Sequence, residues 1–245
     1  MTVTQGAFRV DWFGYATARI EWADGTVAYT DPGRYGVLTG EWTPDGTDAT
    51  AGHPESADRR PQDGDLVVVT HDHHYDDGGI ERVAKPDATV VVYEAVHPPG
   101  IDRDVAPLSD LRQDVVRVGY GTDEVFADVV VRTVEADTGD GSDDASHPEG
   151  FGCGYLLTHG DRTVFWPGDT DVIEGHGMLD VDVFLPPISG AITMDEREAA
   201  ALAGDLDPDL VVPIHYDTFE GLAADAASFT ADVAGRGVPV ALDGR

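Results

Sequence analysis

One ten-residue segment carries a dense set of potential metal ligands and constrains the fold more than any other part of the chain. Residues 70–79 read THDHHYDDGG, with three histidines and three aspartates, and they directly follow the apolar residues 66–69, LVVV. The apolar run predicts a buried strand, so the polar segment is expected at one edge of a sheet. Side chains at i and i+2 of an extended segment point the same way, so we expect His71 and His73 to share one ion.

Three further segments place a histidine or an aspartate close to a predicted strand. They are SHPEG with His147, WPGDTD with Asp169, and PIHYDTF with His215. His147 would complete three protein ligands of a catalytic zinc site and leave the fourth position for water. Asp169 and His215 would then belong to a neighbouring site, because a carboxylate can bridge two ions. Bound water has a pKa near 7 on such a metal, so the expected chemistry is hydrolysis.

The order of these segments resembles the metallo-β-lactamase superfamily, whose first motif is H-x-H-x-D-H-x-G-G. The stretches WFGYATARIEW, YTDP, GCGYLL, GDT, FLPPISGAITMDEREAA and VVPIHYDTF are similar to its lactonase-like (UlaG-like) branch of metal-dependent hydrolases. The resemblance runs from about Phe8 to Leu242. It implies an α+β fold in one domain, 1–245: an αββα sandwich of two mixed β-sheets with helices on the outer faces. It also implies two metal sites at one edge, and attack by metal-bound hydroxide on a small ester, lactone or phosphodiester.

The first motif departs from the family pattern at the second metal site. Without gaps, Tyr75 stands where the family has aspartate, and Asp76 stands where it has histidine. The first site is then His71, His73 and His147, and the second is Asp76, Asp169 and His215. A register shifted by one, with Asp72, His74, Asp76 and Asp77 in the four positions, recovers the aspartate but loses the first histidine and the glycines. We favour the ungapped alignment.

Several roles follow from that alignment. We expect Zn²⁺ at the first site. A carboxylate in place of an imidazole favours Mn²⁺, Fe²⁺ or Mg²⁺ at the second. Asp76 and Asp169 are the expected catalytic carboxylates, and Tyr75 either hydrogen-bonds the hydroxide or packs against the sheet edge. Asp31 is expected to orient a metal histidine, with a turn-forming role as the alternative. His74 neighbours the ligands, and Asp77 would supply a missing ligand if the loop bulges.

Composition limits the partners of this chain. Its 47 acidic and 15 basic residues give a net charge of -32, with Lys85 as the single lysine. Such a surface repels nucleic acid and anionic membranes, so a small-molecule substrate is expected. An acidic, lysine-poor chain is also typical of halophiles. The absence of a long apolar stretch or a signal-like N-terminus, and the lone Cys153, favour a soluble, cytoplasmic protein. A homo-oligomer is left open.

Strand-like runs and helical stretches alternate along the chain, as a mixed fold requires. A long surface loop over 32–64, positioned to cover a site, and another over 137–150 separate these elements. A capping box at Thr193 and Glu196 predicts a helix, and a second helix is expected over 221–235, followed by a last strand at 238–242. The alternating glycines 150, 152 and 154 indicate close strand packing rather than a phosphate loop.

Two other functions are compatible with these residues. One is a phosphodiesterase or nuclease of the same superfamily, which the lack of a basic track disfavours. The other is a binding or structural protein that has lost catalysis through its altered second site.

Overall fold

The computed structural model describes residues 1–6, 8–42, 52–139 and 146–242. Thirteen strands in that part of the chain are numbered in chain order: β1 Thr2–Gln5, β2 Phe8–Gly14, β3 Thr17–Glu21, β4 Val27–Thr30, β5 Gly64–Val69, β6 Ala84–Tyr93, β7 Asp114–Val118, β8 Asp123–Phe126, β9 Val129–Thr138, β10 His147–His159, β11 Arg162–Trp166, β12 Val183–Phe184 and β13 Leu210–Val211. The α-helices are α1 Asp77–Val83, α2 Glu196–Leu206 and α3 Ala226–Gly235.

The strands form two mixed sheets. The first has the order β1-β2-β3-β4-β5-β6-β7, antiparallel from β1 to β4 and parallel from β4 to β7. The second has the order β13-β12-β11-β10-β9-β8, antiparallel from β8 to β11 and parallel from β11 to β13. One continuous core of buried side chains from both sheets joins them, as in an αββα sandwich.

The parallel strands explain the near-continuous apolar runs of the sequence. β5 is buried along Leu66–Val69, because β4 and β6 flank it and both of its faces are covered. Helix α1 packs against β6, and α2 packs against α3. The predicted αββα architecture is therefore confirmed.

Several helix and strand boundaries in the structure differ from the predicted ones. Helix α2 begins after Asp195, whose side chain forms a capping box with Glu198, so the predicted box at Thr193 and Glu196 is wrong by two residues. Thr193 instead donates a hydrogen bond to the carbonyl of Met194 inside the preceding loop. Helix α3 begins at Ala226 rather than at 221, and the last predicted strand is reduced to one bridge between Val211 and Val240.

The predicted loops are described only in part. Residues 43–51 of the first and 140–145 of the second lie outside the described residues. The start of β10 at His147 shortens the second loop, and Gly152 lies in that strand. A Cβ atom on Gly152 would lie 2.9 Å from the Cβ of His71, which supports close strand packing at this position. No helix among the described residues has both the length and the apolar character needed to cross a bilayer.

Candidate metal centre

Chain topology brings the predicted ligands to one edge of the sandwich. Asp31 follows β4, the segment from His71 to His74 follows β5, Asp169 follows β11, and His215 follows β13. These four strands belong to the parallel parts of their sheets, so their carboxyl ends face the same edge. β10 runs antiparallel to β11, so the beginning of β10, where His147 lies, comes to that edge as well.

His71, His73 and His147 form the first ligand group. One ligand atom from each lies within 4.8 Å of the others. The closest pair is His73 Nδ1 and His147 Nε2, at 3.0 Å. His71 and His147 are buried, whereas His73 is exposed and opens the group to one side. Three imidazoles at this spacing suit a Zn²⁺ ion with one open position.

His74, Asp169 and His215 form the second ligand group. The Nε2 atoms of His74 and His215 are 3.3 Å apart, and they lie 3.5 Å and 3.2 Å from Asp169 Oδ1. All three side chains are buried. This group contains two imidazoles and one carboxylate, so His74 occupies the place that the ungapped alignment gave to Asp76.

Asp169 lies between the two groups. Its Oδ1 faces His74 and His215, whereas its Oδ2 lies 3.7 Å from His71 Nε2 and 3.5 Å from His147 Nε2. A carboxylate with one oxygen toward each group has the geometry of a bridging ligand.

Hydrogen bonds behind the cluster fix the histidine tautomers. Asp31 Oδ2 lies 3.0 Å from His74 Nδ1 and also accepts hydrogen bonds from Thr70 Oγ1 and Trp166 Nε1. Since the Thr70 hydroxyl donates to Asp31, its oxygen accepts from His71 Nδ1, 2.9 Å away. Both rings therefore carry their proton on Nδ1 and turn the lone pair of Nε2 toward the cluster. This is the arrangement that metal-binding histidines require.

The buried polar atoms fit divalent cations. In the described part of the chain, His71 Nε2 and both carboxylate oxygens of Asp169 are buried without a hydrogen-bond partner. Buried polar groups in folded proteins are nearly always satisfied, so three such atoms that face one another in one cluster indicate a ligand. The donor set of imidazole nitrogens and one carboxylate matches Zn²⁺ and its neighbours in the first transition row.

Burial also shifts the titration of the cluster in the direction that suits a metal. It lowers the pKa of His71 and His74 well below the ordinary histidine value, with neighbouring histidines adding to the effect. Burial likewise lowers the pKa of His147 to about 4 and of His215 to about 3. It raises the pKa of Asp169 well above its usual range. The imidazoles are therefore neutral at pH 7, and a bound cation would favour the ionised form of Asp169.

Asp76, Asp77 and Tyr75 do not take the places expected for them. Asp76 caps helix α1, with Oδ1 accepting a hydrogen bond of 2.7 Å from the Gly79 backbone. Asp77 begins the same helix and accepts a hydrogen bond from the Ala106 backbone. Tyr75 is fully buried and donates its hydroxyl proton to the Ala106 carbonyl, which corresponds to the packing alternative. The structure therefore brings none of these three side chains into either ligand group.

The local backbone explains the exchange of Asp76 for His74. Residues 71–75 form a turn rather than an extended segment, with hydrogen bonds from His74 N to His71 O and from Tyr75 N to Asp72 O. Successive side chains of a turn do not alternate between two sides as they do in a strand. His71, His73 and His74 therefore all reach the cluster, whereas Asp76 is carried to the start of the helix.

Two residues that support the cluster were missed by sequence reasoning. Tyr15 packs its ring 4.3 Å from that of His215, and its carbonyl accepts the backbone N–H of His215. His53 is buried and accepts a hydrogen bond of 3.0 Å from the Tyr15 backbone through Nε2. The described end of the 32–64 loop thus supports the wall of the site. The ring of His53 is enclosed by Trp12 and Trp42, and these two tryptophans were the sequence signal available for its burial.

A cavity of about 530 Å³ opens over the exposed side of the first ligand group. Its walls include His73 and the side chains Tyr15, Tyr35, Phe151 and Phe219. The ring of Phe151 lies 5.0 Å from that of His73. A molecule of small size in this cavity would lie directly beside the candidate metal centre.

Comparison with known proteins agrees with this geometry. Residues 9–215 match a beta-lactamase superfamily domain. A UPF0173 metal-dependent hydrolase of Pyrococcus horikoshii is 32% identical over 191 residues, which cover 73% of this chain and 79% of the relative. A putative metal-dependent hydrolase from Parabacteroides distasonis has a similar structure, with a TM-score of 0.70, 19% identity and coverage of 98% and 96% of the two chains. The metallo hydrolase Igni18 from Ignicoccus hospitalis has a TM-score of 0.66, 22% identity and coverage of 96% and 94%.

The chain therefore belongs to the β-lactamase superfamily, and within it to the family of UPF0173 metal-dependent hydrolases. This membership confirms the prediction of a metal-dependent hydrolase with the superfamily fold.

Proposed function

We propose that this enzyme hydrolyses a small ester, lactone or phosphodiester with two divalent cations, one in each ligand group. The first group is His71, His73 and His147, and the second is His74, Asp169 and His215. The UlaG-like branch, the cytoplasmic location, the halophilic habitat and a homo-oligomer stay predictions.

The observation that carries the proposal is the set of buried, unpartnered donor atoms that face one another. The two oxygens of Asp169 lie 3.2–3.7 Å from four imidazole nitrogens, two for each oxygen, and these histidines come from three segments of the chain. A cluster maintained only for folding would pair these atoms with hydrogen-bond donors, because leaving them unpaired costs about 1–3 kcal/mol each.

Divalent cations at this place would act as Lewis acids, activating water and polarising a carbonyl or phosphoryl oxygen. The residues of the chain provide the rest. Asp169 holds the two groups in register, and Asp31 fixes the ring of His74 through Nδ1. The aromatic walls of the cavity would contact the apolar part of a bound molecule. Such a molecule would reach the ligand groups from the exposed side of His73.

The composition of the second group changes the preferred metal. With two imidazoles rather than one, this group suits Zn²⁺, Mn²⁺ or Fe²⁺ better than Mg²⁺, which prefers oxygen ligands. We propose Zn²⁺ in the first group.

Hydrolysis of 4-nitrophenyl acetate, a γ-lactone and bis(4-nitrophenyl) phosphate by protein loaded with Zn²⁺ or Mn²⁺ tests the proposal. Substitutions His71→Ala and Asp169→Asn are expected to reduce turnover to the buffer background while the circular dichroism spectrum is kept. His159→Ala is the matched control, since this histidine lies at the opposite end of β10 from His147 and pairs with exposed Asp24. Turnover at wild-type level in both site variants would refute the proposal.

A further inference from the structure

Two arginines in the wall of the cavity, Arg34 and Arg103, have no acidic partner among the described residues. In the described part of the chain, neither has a carboxylate oxygen within the 4.0 Å that defines an ion pair. Several arginines elsewhere pair with acidic side chains, as Arg19 does with Asp63 and Arg162 with Asp209, whereas others, such as Arg117, donate only to backbone carbonyls among the described residues. In a chain of net charge -32, two unpaired guanidinium groups in one cavity need an explanation.

Backbone carbonyls of the metal-binding turn hold both guanidinium groups in place. Arg34 Nε donates to the carbonyl of His73 at 3.2 Å. Arg103 Nη2 donates to the carbonyls of Asp72 at 3.0 Å and Tyr75 at 2.9 Å, with a longer contact of 3.4 Å to that of His73. Both guanidinium groups therefore contact the backbone of the turn that carries His71, His73 and His74.

Part of each guanidinium group is left available for a ligand. Among the described residues, both Nη atoms of Arg34 lack a hydrogen-bond partner, as do Nε and Nη1 of Arg103. One face of Arg34 covers the ring of Tyr35, 4.0 Å away, so its free edge points in a defined direction. Planar groups of N–H donors held in this way match the paired oxygens of a carboxylate or a phosphate.

The acidic side chains nearby compensate the positive charge only in part. Asp72 lines the cavity, but its Oδ1 accepts a hydrogen bond of 2.6 Å from the His97 backbone. Asp76 caps helix α1, and Asp102, also in the wall, is exposed. Arg34 and Arg103 both approach the carbonyl of His73, so their positive charges lie near each other and repel. An anion between them would relieve that repulsion.

We infer that Arg34 and Arg103 bind an anionic group of the substrate, a carboxylate or a phosphate, beside the cleaved bond. This inference rests on the proposed function, since the anion is taken to belong to the hydrolysed molecule. The other walls of the cavity, among them Ile101, Phe151 and Ile192, are apolar and would enclose the uncharged body of that molecule. The favoured substrate class is therefore a small anionic ester or lactone.

Three 4-nitrophenyl esters of matched chain length test this inference with the metal-loaded enzyme at constant ionic strength. They derive from monomethyl glutarate, which is neutral, from glutarate, which adds a carboxylate, and from 4-phosphonobutyrate, which adds a phosphonate. The wild-type enzyme is expected to prefer one anionic ester, and the preferred one identifies the oxyanion. Arg34→Gln is expected to lower kcat/KM for that ester, mainly through KM, about 10- to 100-fold more than it lowers kcat/KM for the neutral ester.

Arg103→Lys keeps the charge and a donor to the turn, so it tests the second arginine without removing its support of the motif. It is expected to lower kcat/KM for the anionic ester by less than Arg34→Gln does, because lysine lacks the planar fork. Arg112→Gln is the control of equal charge change, since the Arg112 side chain is 81% exposed and lies outside the cavity wall. An equal loss on neutral and anionic esters in the Arg34 and Arg103 variants would overturn the inference.

Equilibrium binding separates this inference from the proposed function. Glutarate and inorganic phosphate are titrated calorimetrically into the metal-loaded wild-type, Arg34→Gln and Arg112→Gln proteins. Weaker binding in Arg34→Gln alone supports the anion site even if no ester is hydrolysed, in which case the hydrolase proposal fails by itself. Identical affinities in all three proteins would overturn the anion site even if neutral esters are cleaved.

Discussion

Replacing Asp31 by asparagine tests how the histidines are oriented. The Asp31 carboxylate is fully buried and accepts four hydrogen bonds. Oδ1 accepts from Thr70 N at 2.8 Å, whereas Oδ2 accepts from Thr70 Oγ1 at 2.9 Å, His74 Nδ1 at 3.0 Å and Trp166 Nε1 at 2.7 Å. Asparagine has the same size but only one acceptor oxygen.

The magnitude follows from which donors lose their acceptor. If the amide oxygen of the introduced asparagine replaces Oδ2, its amide nitrogen faces the backbone N–H of Thr70, and one buried donor is left unpaired. The opposite orientation leaves three donors unpaired, so the first is favoured. One unpaired buried donor lowers the free energy of unfolding by about 1–3 kcal/mol. Replacing the carboxylate behind His74 by the weaker amide acceptor lowers the metal affinity of the second ligand group by about 10- to 100-fold.

Two measurements separate these effects. Urea denaturation in the presence of chelator gives the free energy of unfolding, and titration of Zn²⁺ against a competing chelator gives the affinity. Asp11→Asn is the control, because Asp11 is also buried and pairs with Arg9 and Arg19 on strands away from the cluster. It is expected to lose stability and keep its metal affinity. Unchanged Zn²⁺ affinity in Asp31→Asn would refute the role assigned to this carboxylate.

Two further predictions concern packing and pH. A Cβ atom on Gly79 would lie 2.0 Å from the Pro32 carbonyl oxygen, whereas one on Gly78 would lie 3.4 Å from its nearest neighbour. Gly79→Ala should therefore lower the free energy of unfolding, measured by urea denaturation, by about 1–3 kcal/mol or more, whereas Gly78→Ala should not. Equal effects of the two substitutions would contradict the close packing at Gly79. Burial lowers the pKa of His147 from 6.5 to about 4, so its stabilising contribution is complete above pH 6.5 and is lost as the pH falls toward 4. Between pH 7 and pH 5, in the presence of a chelator that removes the metal, the free energy of unfolding of the wild-type protein should fall by about 2 kcal/mol more than that of His147→Asn. Parallel pH profiles of the two proteins would contradict this prediction.

The sequence was sufficient for the fold because its apolar runs have the periods of buried strands. The run at 66–69 predicted β5, and the ligand segments after it were correctly placed at one sheet edge. The short edge strand β1 was not predicted, because its side chains alternate between exposed and half-buried and give no apolar signal.

The second ligand group was not predictable from an ungapped alignment. That alignment assumes that equivalent residues share one backbone conformation, whereas the turn over 71–75 brings His74 inward and leaves Asp76 as a helix cap. Arg34 and Arg103 are far apart in the chain and carry no motif, so only the folded structure shows that they share a cavity.

Metal stoichiometry tests the central claim, the two ligand groups joined by Asp169, most directly. Elemental analysis after dialysis against Zn²⁺ is expected to find about two ions per chain in the wild-type protein and in Asp76→Ala, but about one in His74→Ala. Two ions in His74→Ala together with one in Asp76→Ala would contradict the second ligand group.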